Sequence, residues 1–194
     1  MGNREDLLEG AKRCLHETGY ARTTARDIAT AAGVSLAAIG YHYGTKESLL
    51  NTALLHALEE WGEELGRMMA IEADPAASPA ERLEAVWEQV LRSFAAYHPL
   101  WSVQFEVLGR LNADSQMRET FAAANRGGRL ALAELFGDFG ASTQTLAEER
   151  ALALGTFYQA MLGGVASQWL VDPDSALSGA QFVEAVRALA PGLT

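Results

Sequence analysis

Residues 23 to 50, TTARDIATAAGVSLAAIGYHYGTKESLL, carry several signals that begin or end helices at short intervals. Thr24 and Asp27 form a T-x-x-D capping box, which predicts a short helix that begins at Ala25. Gly33 ends that helix, because glycine adopts the left-handed conformation of a tight turn without steric cost. These signals predict two short helices that a turn separates, which is the helix-turn-helix arrangement.

The residues after Gly33 predict the second short helix. Ser35 is expected to cap it through its hydroxyl group, and Ile39 is expected to anchor it to the core. In a helix-turn-helix, the first side chains of the second helix enter the major groove of DNA. The side chains expected to be exposed there are those of Leu36, Ala37 and Ala38. This pattern makes DNA binding the leading hypothesis.

One further helix is predicted on each side of this pair. Downstream, Gly44 ends the second helix, and Thr45 is expected to cap a long helix that begins at Lys46. The ammonium group of Lys46 is expected to lie near a DNA phosphate. Upstream, an apolar stripe at helical spacing predicts a supporting helix that ends at Gly19. The stripe consists of Leu7, Ala11, Cys14 and Leu15.

The stretch from Asn3 to about Leu50 resembles the N-terminal domain of the tetracycline repressor (TetR) family. Members of that family typically read T-x-x-D-I-A-x-x-A-G-V-S and then Y-x-H-F-x-S-K-E-x-L. The corresponding segments here read TARDIATAAGVS and GYHYGTKESL, over roughly a quarter of the chain. The resemblance implies an all-α transcriptional regulator that binds DNA through this domain.

The sequence departs from the family pattern at three positions. Tyr43 and Thr45 conservatively replace the commoner Phe and Ser, whereas Gly40 stands where the family usually places an aromatic residue. Glycine in a helix interior costs about 1 kcal/mol relative to alanine. Close approach of the helix to DNA or to the first helix would account for Gly40, and so would a tolerated weak spot in a short packed helix.

Formal charge is unevenly distributed along the sequence. Residues 1–50 contain six basic and six acidic side chains, so the rest of the chain carries the whole net charge of -10. An acidic surface is repelled by DNA, which leaves the N-terminal end as the expected contact surface. Many soluble proteins are acidic because net charge keeps them in solution. A domain with no net charge is also weaker evidence for DNA binding than a strongly basic domain.

Composition predicts a cytoplasmic protein that uses no cofactor and no metal. No run of 18 apolar residues could span a membrane, and the N-terminal MGNREDLLEG lacks the apolar stretch of a signal peptide. Cys14, the single cysteine, is interpreted as a core residue. The sequence contains no metal-spaced histidine cluster, phosphate loop or Ser-His-Asp signature. An enzyme is therefore the less favoured class, with Glu88, His98 and Glu106 as its candidate acid-base groups.

Beyond Lys46 the hydrophobic pattern is helical throughout, with breaks at Pro, Gly and Asn/Asp clusters. Six helices are predicted, over residues 46–72, 80–97, 100–111, 115–139, 145–171 and 178–190. The predicted fold is therefore all-α with nine helices, the number that the TetR resemblance implies. Its two domains are an N-terminal three-helix helix-turn-helix DNA-binding domain and a six-helix ligand-binding and dimerisation domain, over residues 1–50 and 51–194.

Thirteen of the 16 aromatic residues lie beyond residue 50, several of them on common helix faces. An aromatic stripe at helical spacing forms a packed core more often than a ligand pocket. The TetR resemblance implies a pocket, because members of that family commonly bind a small effector inside this bundle. The candidate ligand-binding residues are Trp87, Leu91, Phe94, Trp101, Phe105, Phe121, Asn125, Phe157 and Met161. The polar candidates for orienting the effector are Gln104, Glu106, Asn125 and Gln159.

The last two helices are predicted to form a homodimer surface. The segment GTFYQAMLGGVASQWL is rich in small residues that allow helices to approach closely, namely Gly155, Gly163, Gly164, Ala166 and Ser167. The final helix carries Phe182, Val186 and Leu189 at one-turn intervals. The alternative interpretation is ordinary packing within one chain.

Together with the resemblance, these patterns predict a dimeric regulator, most simply a repressor, that binds a palindromic double-stranded DNA operator and is released by a small hydrophobic effector. The alternative is a DNA-binding regulator or architectural protein without a small-molecule ligand. Because the recognition helix is poor in Arg, Asn and Gln, shape readout and phosphate contacts are expected to dominate. The candidate DNA-binding residues are Thr24, Arg26, Ser35, Leu36, Ala37, Ala38, Tyr41, His42 and Lys46.

Overall fold

The computed structural model describes residues 3–72, 76–111, 115–136 and 147–189, and these residues contain nine α-helices and no β-strand. The all-α prediction is confirmed. The helices are α1 (Asn3–Thr18), α2 (Ala25–Ala32), α3 (Ala37–Tyr43), α4 (Lys46–Glu72), α5 (Pro79–Ala96), α6 (His98–Leu108), α7 (Ser115–Phe136), α8 (Glu148–Val171) and α9 (Gly179–Leu189). The predicted helical positions 137–139, 145–146 and 190 lie outside the described residues.

Two prolines that were expected to interrupt helices lie in first helical turns instead. Helix α5 begins at Pro79, and α6 begins at His98 with Pro99 in its first turn. Proline is tolerated there, because the amide hydrogens of the first turn have no partner within the helix. Both helices therefore begin one or two residues earlier than the sequence predicts.

The tertiary contacts divide the chain into two compact units. The first unit comprises Met1–Trp61 and Tyr97–Asn125, and the second comprises Gly62–Ala96 and Arg126–Thr194. Helix α6 and the beginning of α7 thus belong to the unit that contains α1 to α3. The division into domains at residue 50 stays a prediction about which segments fold independently.

The core of the first unit is centred on α1. The predicted apolar stripe is confirmed, since Leu7 and Ala11 are fully buried and Cys14 and Leu15 nearly so. Helices α1 and α2 pack closely, because a Cβ atom at Gly10 would lie 2.9 Å from the Cβ atom of Ala32. The same core contains residues from the later helices of the unit, namely Val103, Val107, Met117 and Phe121.

The second unit contains two close helix contacts at glycines. A Cβ atom at Gly155 of α8 would overlap the carbonyl oxygen of Arg129 on α7 at 1.8 Å. A Cβ atom at Gly179 of α9 would lie 2.6 Å from the carbonyl oxygen of Glu84 on α5. Of the residues assigned to a dimer surface, Gly155 therefore packs within the chain, and so do Ala166, which is fully buried, and Phe182, which is 8% exposed. Gly163 and Gly164 face open space.

Candidate nucleic-acid interface

The turn that precedes and orients α3 is built as the sequence predicts. The backbone amide of Asp27 donates to Thr24 Oγ1 at 3.2 Å, and the amide of Thr24 donates to Asp27 Oδ2 at 2.8 Å, which completes the capping box. The Thr24 hydroxyl also donates to Asp27 Oδ2 at 2.7 Å, and the hydrogen bonds from this hydroxyl and from the Thr24 amide lower the pKa of the Asp27 carboxyl group, because they stabilise its charged form. Gly33 has a φ of 69°, in the left-handed region, and ends α2 as predicted.

The prediction that Ser35 caps α3 through its hydroxyl group is wrong. The helix begins at Ala37 with Leu36 as its N-cap residue, and in this described segment no side-chain hydrogen bond caps it. Ser35 contributes its carbonyl oxygen, which accepts a hydrogen bond from the amide of Ala38 at 3.0 Å. The reason is that Leu36 already has helical dihedral angles, φ -56° and ψ -34°, so the first turn closes on backbone groups alone.

The prediction that Ala38 is exposed is also wrong. Ala38 is 8% exposed and packs with Ile39, which is 4% exposed, in the core of the first unit. Successive residues of a helix point about 100° apart, so three consecutive side chains cannot all lie on one narrow outer face. Ala38 therefore supports α3 from beneath and is removed from the candidate DNA-binding residues.

The outer face of α3 carries no charged side chain. It is formed by Leu36, Ala37, Gly40 and Tyr41, and Tyr41 is 86% exposed. The Tyr41 ring meets the half-buried ring of His42 edge to face, with 4.8 Å between their centroids. A Cβ atom at Gly40 would meet nothing within 4 Å, so close approach to the first helix does not explain this glycine.

The basic side chains near α3 differ in whether they form hydrogen bonds or ion pairs within the protein. Lys46 Nζ donates to the carbonyl oxygen of Thr23 at 3.1 Å and lies 3.3 Å from Glu47 Oε1, so the ammonium group also fastens the start of α2. Arg22 donates to the carbonyl oxygen of Thr18. Arg26 is exposed and has no hydrogen-bond or ion-pair partner among the described residues. It is thus available to a phosphate without breaking an internal hydrogen bond.

The junction between α3 and α4 is confirmed in detail. Gly44 has a φ of 78°, and Thr45 Oγ1 accepts a hydrogen bond from the amide of Ser48 at 3.0 Å. Thr45 is therefore the predicted cap of α4. The phenolic hydroxyl of Tyr43 donates to the carbonyl oxygen of Arg4 at 2.9 Å, which ties the end of α3 to α1.

A carboxylate on α6 holds the loop between α1 and α2. Glu106 Oε2 accepts from the amide of Tyr20 at 3.1 Å, and Glu106 Oε1 accepts from the amide of Ala21 at 2.8 Å. Arg110 lies 3.4 Å from the same carboxylate. Glu106 was a candidate for orienting an effector, and the structure engages it with backbone amides instead. A local sequence pattern does not reveal this contact, since Glu106 lies 86 residues from Tyr20 and 85 residues from Ala21 in the sequence.

The candidate ligand-binding residues divide between the two units. In the first unit, Trp101 is buried and meets Trp61 edge to face at 4.9 Å, and Phe105 is half-buried. Phe121 belongs to the core beneath the DNA-binding helices. The expectation that Asn125 faces an interior is wrong, since Asn125 is exposed on α7.

In the second unit, the ring of Trp87 stacks on Phe182 at 3.6 Å, and its indole nitrogen donates to the carbonyl oxygen of Leu177. Trp87 thus secures α9. The expectation that Phe157 completes an inner wall is wrong, since Phe157 is 57% exposed. Its position on α8 turns it away from the core of its own unit. The remaining candidates are Phe94, which is fully buried, and the half-buried Leu91 and Met161.

The other two polar candidates for orienting an effector, Gln159 and Gln104, differ in whether they have a hydrogen-bond partner. Gln159 Oε1 accepts a hydrogen bond from Arg129 Nε at 3.1 Å. Gln104 Oε1 is buried, and among the described residues it has no hydrogen-bond partner. The first unit also has an open groove of about 510 Å³, whose polar lining includes His16, Arg22, His98 and Glu106. None of the nine candidate ligand-binding residues lines this groove.

Two family models match the chain. Residues 7–53 match the bacterial regulatory proteins of the tetR family. Residues 79–193, more than half of the chain, match the C-terminal region of BetI-type transcriptional repressors. Among the residues that the structure describes, no helix has the length and apolar character that a membrane span requires.

Individual curated relatives match part of the chain. The HTH-type transcriptional repressor AcnR of Corynebacterium efficiens is 45% identical over 49 residues, which cover 25% of this chain and 26% of AcnR. The HTH-type transcriptional regulator TtgR of Pseudomonas putida is 42% identical over 64 residues, 33% of this chain and 30% of TtgR. The chain thus matches about a quarter to a third of the length of these curated relatives.

The fold extends over nearly the whole chain in a solved structure. The multidrug binding protein EbrR, in complex with proflavin, has a TM-score of 0.63 at 19% identity, covering 97% of this chain and 99% of that one. At this identity the similarity concerns the fold. With the helix-turn-helix geometry and the two family matches, it leads to one conclusion: the chain belongs to the TetR family, a family of bacterial transcriptional regulators and not of enzymes.

Proposed function

We propose that the protein is a cytoplasmic, ligand-responsive repressor that binds a palindromic operator as a homodimer. The observation that carries the proposal is the outer face of α3. In a fully formed helix-turn-helix, this face exposes four residues to solvent, namely Leu36, Ala37, Gly40 and Tyr41. A helix presented in this way fits the major groove. Two copies related by a twofold axis would read the two halves of a palindrome.

The face of α3 determines how sequence is read. Leu36 and Ala37 offer apolar contacts to thymine methyl groups, and the exposed Tyr41 hydroxyl offers one donor. With no Arg, Asn or Gln on this face, phosphate contacts and DNA shape carry most of the recognition. The proposed phosphate contacts come from Thr24, Arg26, Ser35, His42 and Lys46.

The dimer is proposed to form through α8 and α9. Large apolar side chains are exposed on both helices, with Phe157 at 57%, Val186 at 39% and Leu189 at 69% exposure. Gly163 and Gly164 leave open space on α8, into which a helix of a second copy fits closely. Apolar surface of this kind is typical of a protein–protein interface.

An effector is proposed because the C-terminal part resembles BetI-type repressors and because EbrR, with the same fold, was solved with proflavin bound. Its route to the DNA-binding helices is supported by Glu106, since α6 holds the loop between α1 and α2 through two amides. An effector that displaces α6 would change the position of α2 and α3. The effector can weaken operator binding by at most the ratio of its affinities for the two states.

A regulator without a small ligand is the second candidate, and particular contacts favour it. Trp87 is engaged by Phe182, and Phe121 lies in the core of the first unit, so two of the predicted pocket aromatics serve packing. A protein partner would then take the place of the effector.

The test is binding of the purified protein to the DNA upstream of its own gene, by gel shift across a salt series and with a library of hydrophobic compounds. Arg26→Ala is expected to reduce the slope of log K against log salt by about one unit, because the variant neutralises one phosphate fewer. Arg150→Ala, an exposed arginine of the second unit, is the matched control and leaves the slope unchanged.

The outcomes separate the candidates. Specific binding that a compound releases supports the ligand-responsive repressor. Specific binding that no compound disturbs favours the second candidate, and binding without sequence preference contradicts the proposed role of α3.

A further inference from the structure

The buried face of α5 contains one polar side chain that its surroundings do not satisfy. Gln89 is only 3% exposed, and among the described residues its amide nitrogen Nε2 has no hydrogen-bond partner. The other buried residues of this helix are Val86, Trp87, Val90, Ser93 and Phe94, none of which is ionisable. A glutamine amide can donate two hydrogen bonds. A buried donor without a hydrogen-bond partner costs folding free energy, because it has lost its hydrogen bonds to water. Such groups are rare in native proteins, which suggests that an acceptor binds here.

The orientation of the amide follows from its other end. Gln89 Oε1 accepts a hydrogen bond from Arg92 Nε, one turn further along α5, at 3.4 Å. Exchanging the oxygen and nitrogen atoms would bring two donors together, because a guanidinium group has no acceptor. The nitrogen is therefore the atom left without a partner, and what it lacks is an acceptor.

A trapped water molecule matches this environment poorly. Buried water typically makes two to four hydrogen bonds to polar groups of the protein. In the described part of the second unit, Gln89 and Ser93 are the buried polar residues, and the Ser93 hydroxyl already donates to the carbonyl oxygen of Val90 at 2.7 Å. A molecule with an apolar body and one acceptor fits a single donor among apolar neighbours better than water does.

We propose that Gln89 determines effector specificity, by donating a hydrogen bond from Nε2 to an acceptor oxygen or nitrogen of a neutral, mainly apolar effector. The inference rests on the proposed function, since it assigns the chemical class of the effector. A charged group at this position is disfavoured, because the buried residues of α5 include no ionisable side chain and the guanidinium beside the Gln89 oxygen belongs to an exposed residue, Arg92.

The experiment compares matched probes that differ by one carbonyl group: indanone against indane, and fluorenone against fluorene. Their dissociation constants are measured by calorimetric titration for the wild-type protein and for Gln89→Met, which keeps the length of the side chain and removes the donor. Wild-type protein is expected to prefer the ketones by about 5- to 10-fold. Gln89→Met is expected to lose that preference while its affinity for the hydrocarbons is unchanged. Gln168→Met, at an exposed glutamine of α8, is the control and retains the preference.

A second measurement requires no ligand. Replacing an unsatisfied buried amide by an apolar group removes a desolvation cost, so ligand-free Gln89→Met is expected to melt about 2–4 °C above the wild type. A lower melting temperature would mean that the amide is satisfied within the protein and would overturn the proposal. Equal wild-type affinity for ketones and hydrocarbons, or no binding of any probe, would also overturn it.

Failure of the proposed function is recognised separately. Operator binding by the ligand-free wild type is measured in the gel-shift assay and does not involve Gln89. Equal affinity of the wild-type protein for ketones and hydrocarbons, with intact operator binding, refutes only the assignment of Gln89. Ketone selectivity without specific DNA binding refutes the repressor function and leaves the Gln89 site in place.

Discussion

The two compact units expose their large apolar side chains in different places. In the described part of the first unit, these are Leu36 and Tyr41 at the outer face of α3, and Leu108 at the end of α6. In the second unit they are concentrated on α8, on α9 and on the segment between them, at Phe157, Val171, Leu177, Val186 and Leu189. The first unit therefore exposes apolar side chains mainly on one short helix, the proposed recognition helix, whereas the second exposes a broader apolar surface, where we propose that a second copy of the chain packs.

The largest expected effect comes from two neighbouring residues of α3. Ala38→Glu places a carboxylate at a buried position and is expected to destabilise the first unit by about 3–5 kcal/mol, since the charge has no partner there. Thermal denaturation followed by circular dichroism measures this loss. Ala37→Glu, on the exposed side, is the matched variant and leaves the melting temperature nearly unchanged.

The same pair tests the docking of α3. Ala37→Glu is expected to abolish operator binding, because it brings a negative charge to the floor of the major groove. Wild-type operator affinity of Ala37→Glu would contradict the proposed docking of α3. Wild-type stability of Ala38→Glu would contradict the burial of Ala38 in the first unit.

The second prediction concerns the apolar surface of the second unit. Leu189→Asp is expected to weaken the dimer by about 100-fold, because a charge at an exposed apolar position disfavours burial against a second copy. Analytical ultracentrifugation over a concentration series measures the change. Leu108→Asp, at a residue of the first unit that is 45% exposed, is the control and leaves the mass unchanged. An equal effect of both variants would place the interface elsewhere.

The third prediction compares two glycines of the helix-turn-helix. Gly40→Ala is expected to stabilise the protein by about 1 kcal/mol, because helix propensity improves and the added methyl group meets open space. Gly33→Ala is expected to destabilise it by about the same amount, since its φ of 69° disfavours a side chain. Denaturant titration measures both. If Gly40→Ala also weakens operator binding, close approach to DNA explains Gly40, and if binding is unchanged the glycine is a tolerated weak spot.

The smallest effects are expected at two capping boxes that contain a carboxylate, one in each unit. Hydrogen bonds from Thr24 lower the pKa of Asp27 below its ordinary value of 3.8, and those from Ser78 lower the pKa of Glu81 below 4.5. Each carboxylate therefore contributes stability that is present above the ordinary value and is lost as pH falls through the lowered one. Asp27→Asn and Glu81→Gln are expected to be less stable than the wild type at neutral pH, with a difference that disappears in acid. A difference that persists in acid would assign the effect to something other than charge.

The features that the sequence predicts correctly depend on residues close together in the chain. The capping box at Thr24, the turn at Gly33 and the cap at Thr45 involve partners within four positions, and all three are confirmed. The orientation of Ala38 was missed because it depends on where the first turn of α3 closes. That point is fixed by the backbone of Leu36, whose side chain carries no capping group.

The candidate ligand-binding residues depend on distant partners, which periodicity does not identify. Helical spacing places Trp87 and Phe94 on one face of α5, but it does not show that Trp87 meets Phe182. Equally, exposure of Phe157 follows from how α8 packs on α7 at Gly155. The same sequence pattern is compatible with a core, a pocket and an interface.

The attachment of Glu106 to the loop between α1 and α2 has a consequence for protein engineering. Trp101 and Phe105 lie on the same helix as Glu106, so in the ligand-responsive repressor proposed above a library that redesigns α6 for a new inducer would also shift the resting level of the promoter. Selection for a new response would then mix two traits, sensitivity and background. Diversifying α5 and α8 while keeping the register of α6 separates them, which makes these helices the better starting point for a biosensor.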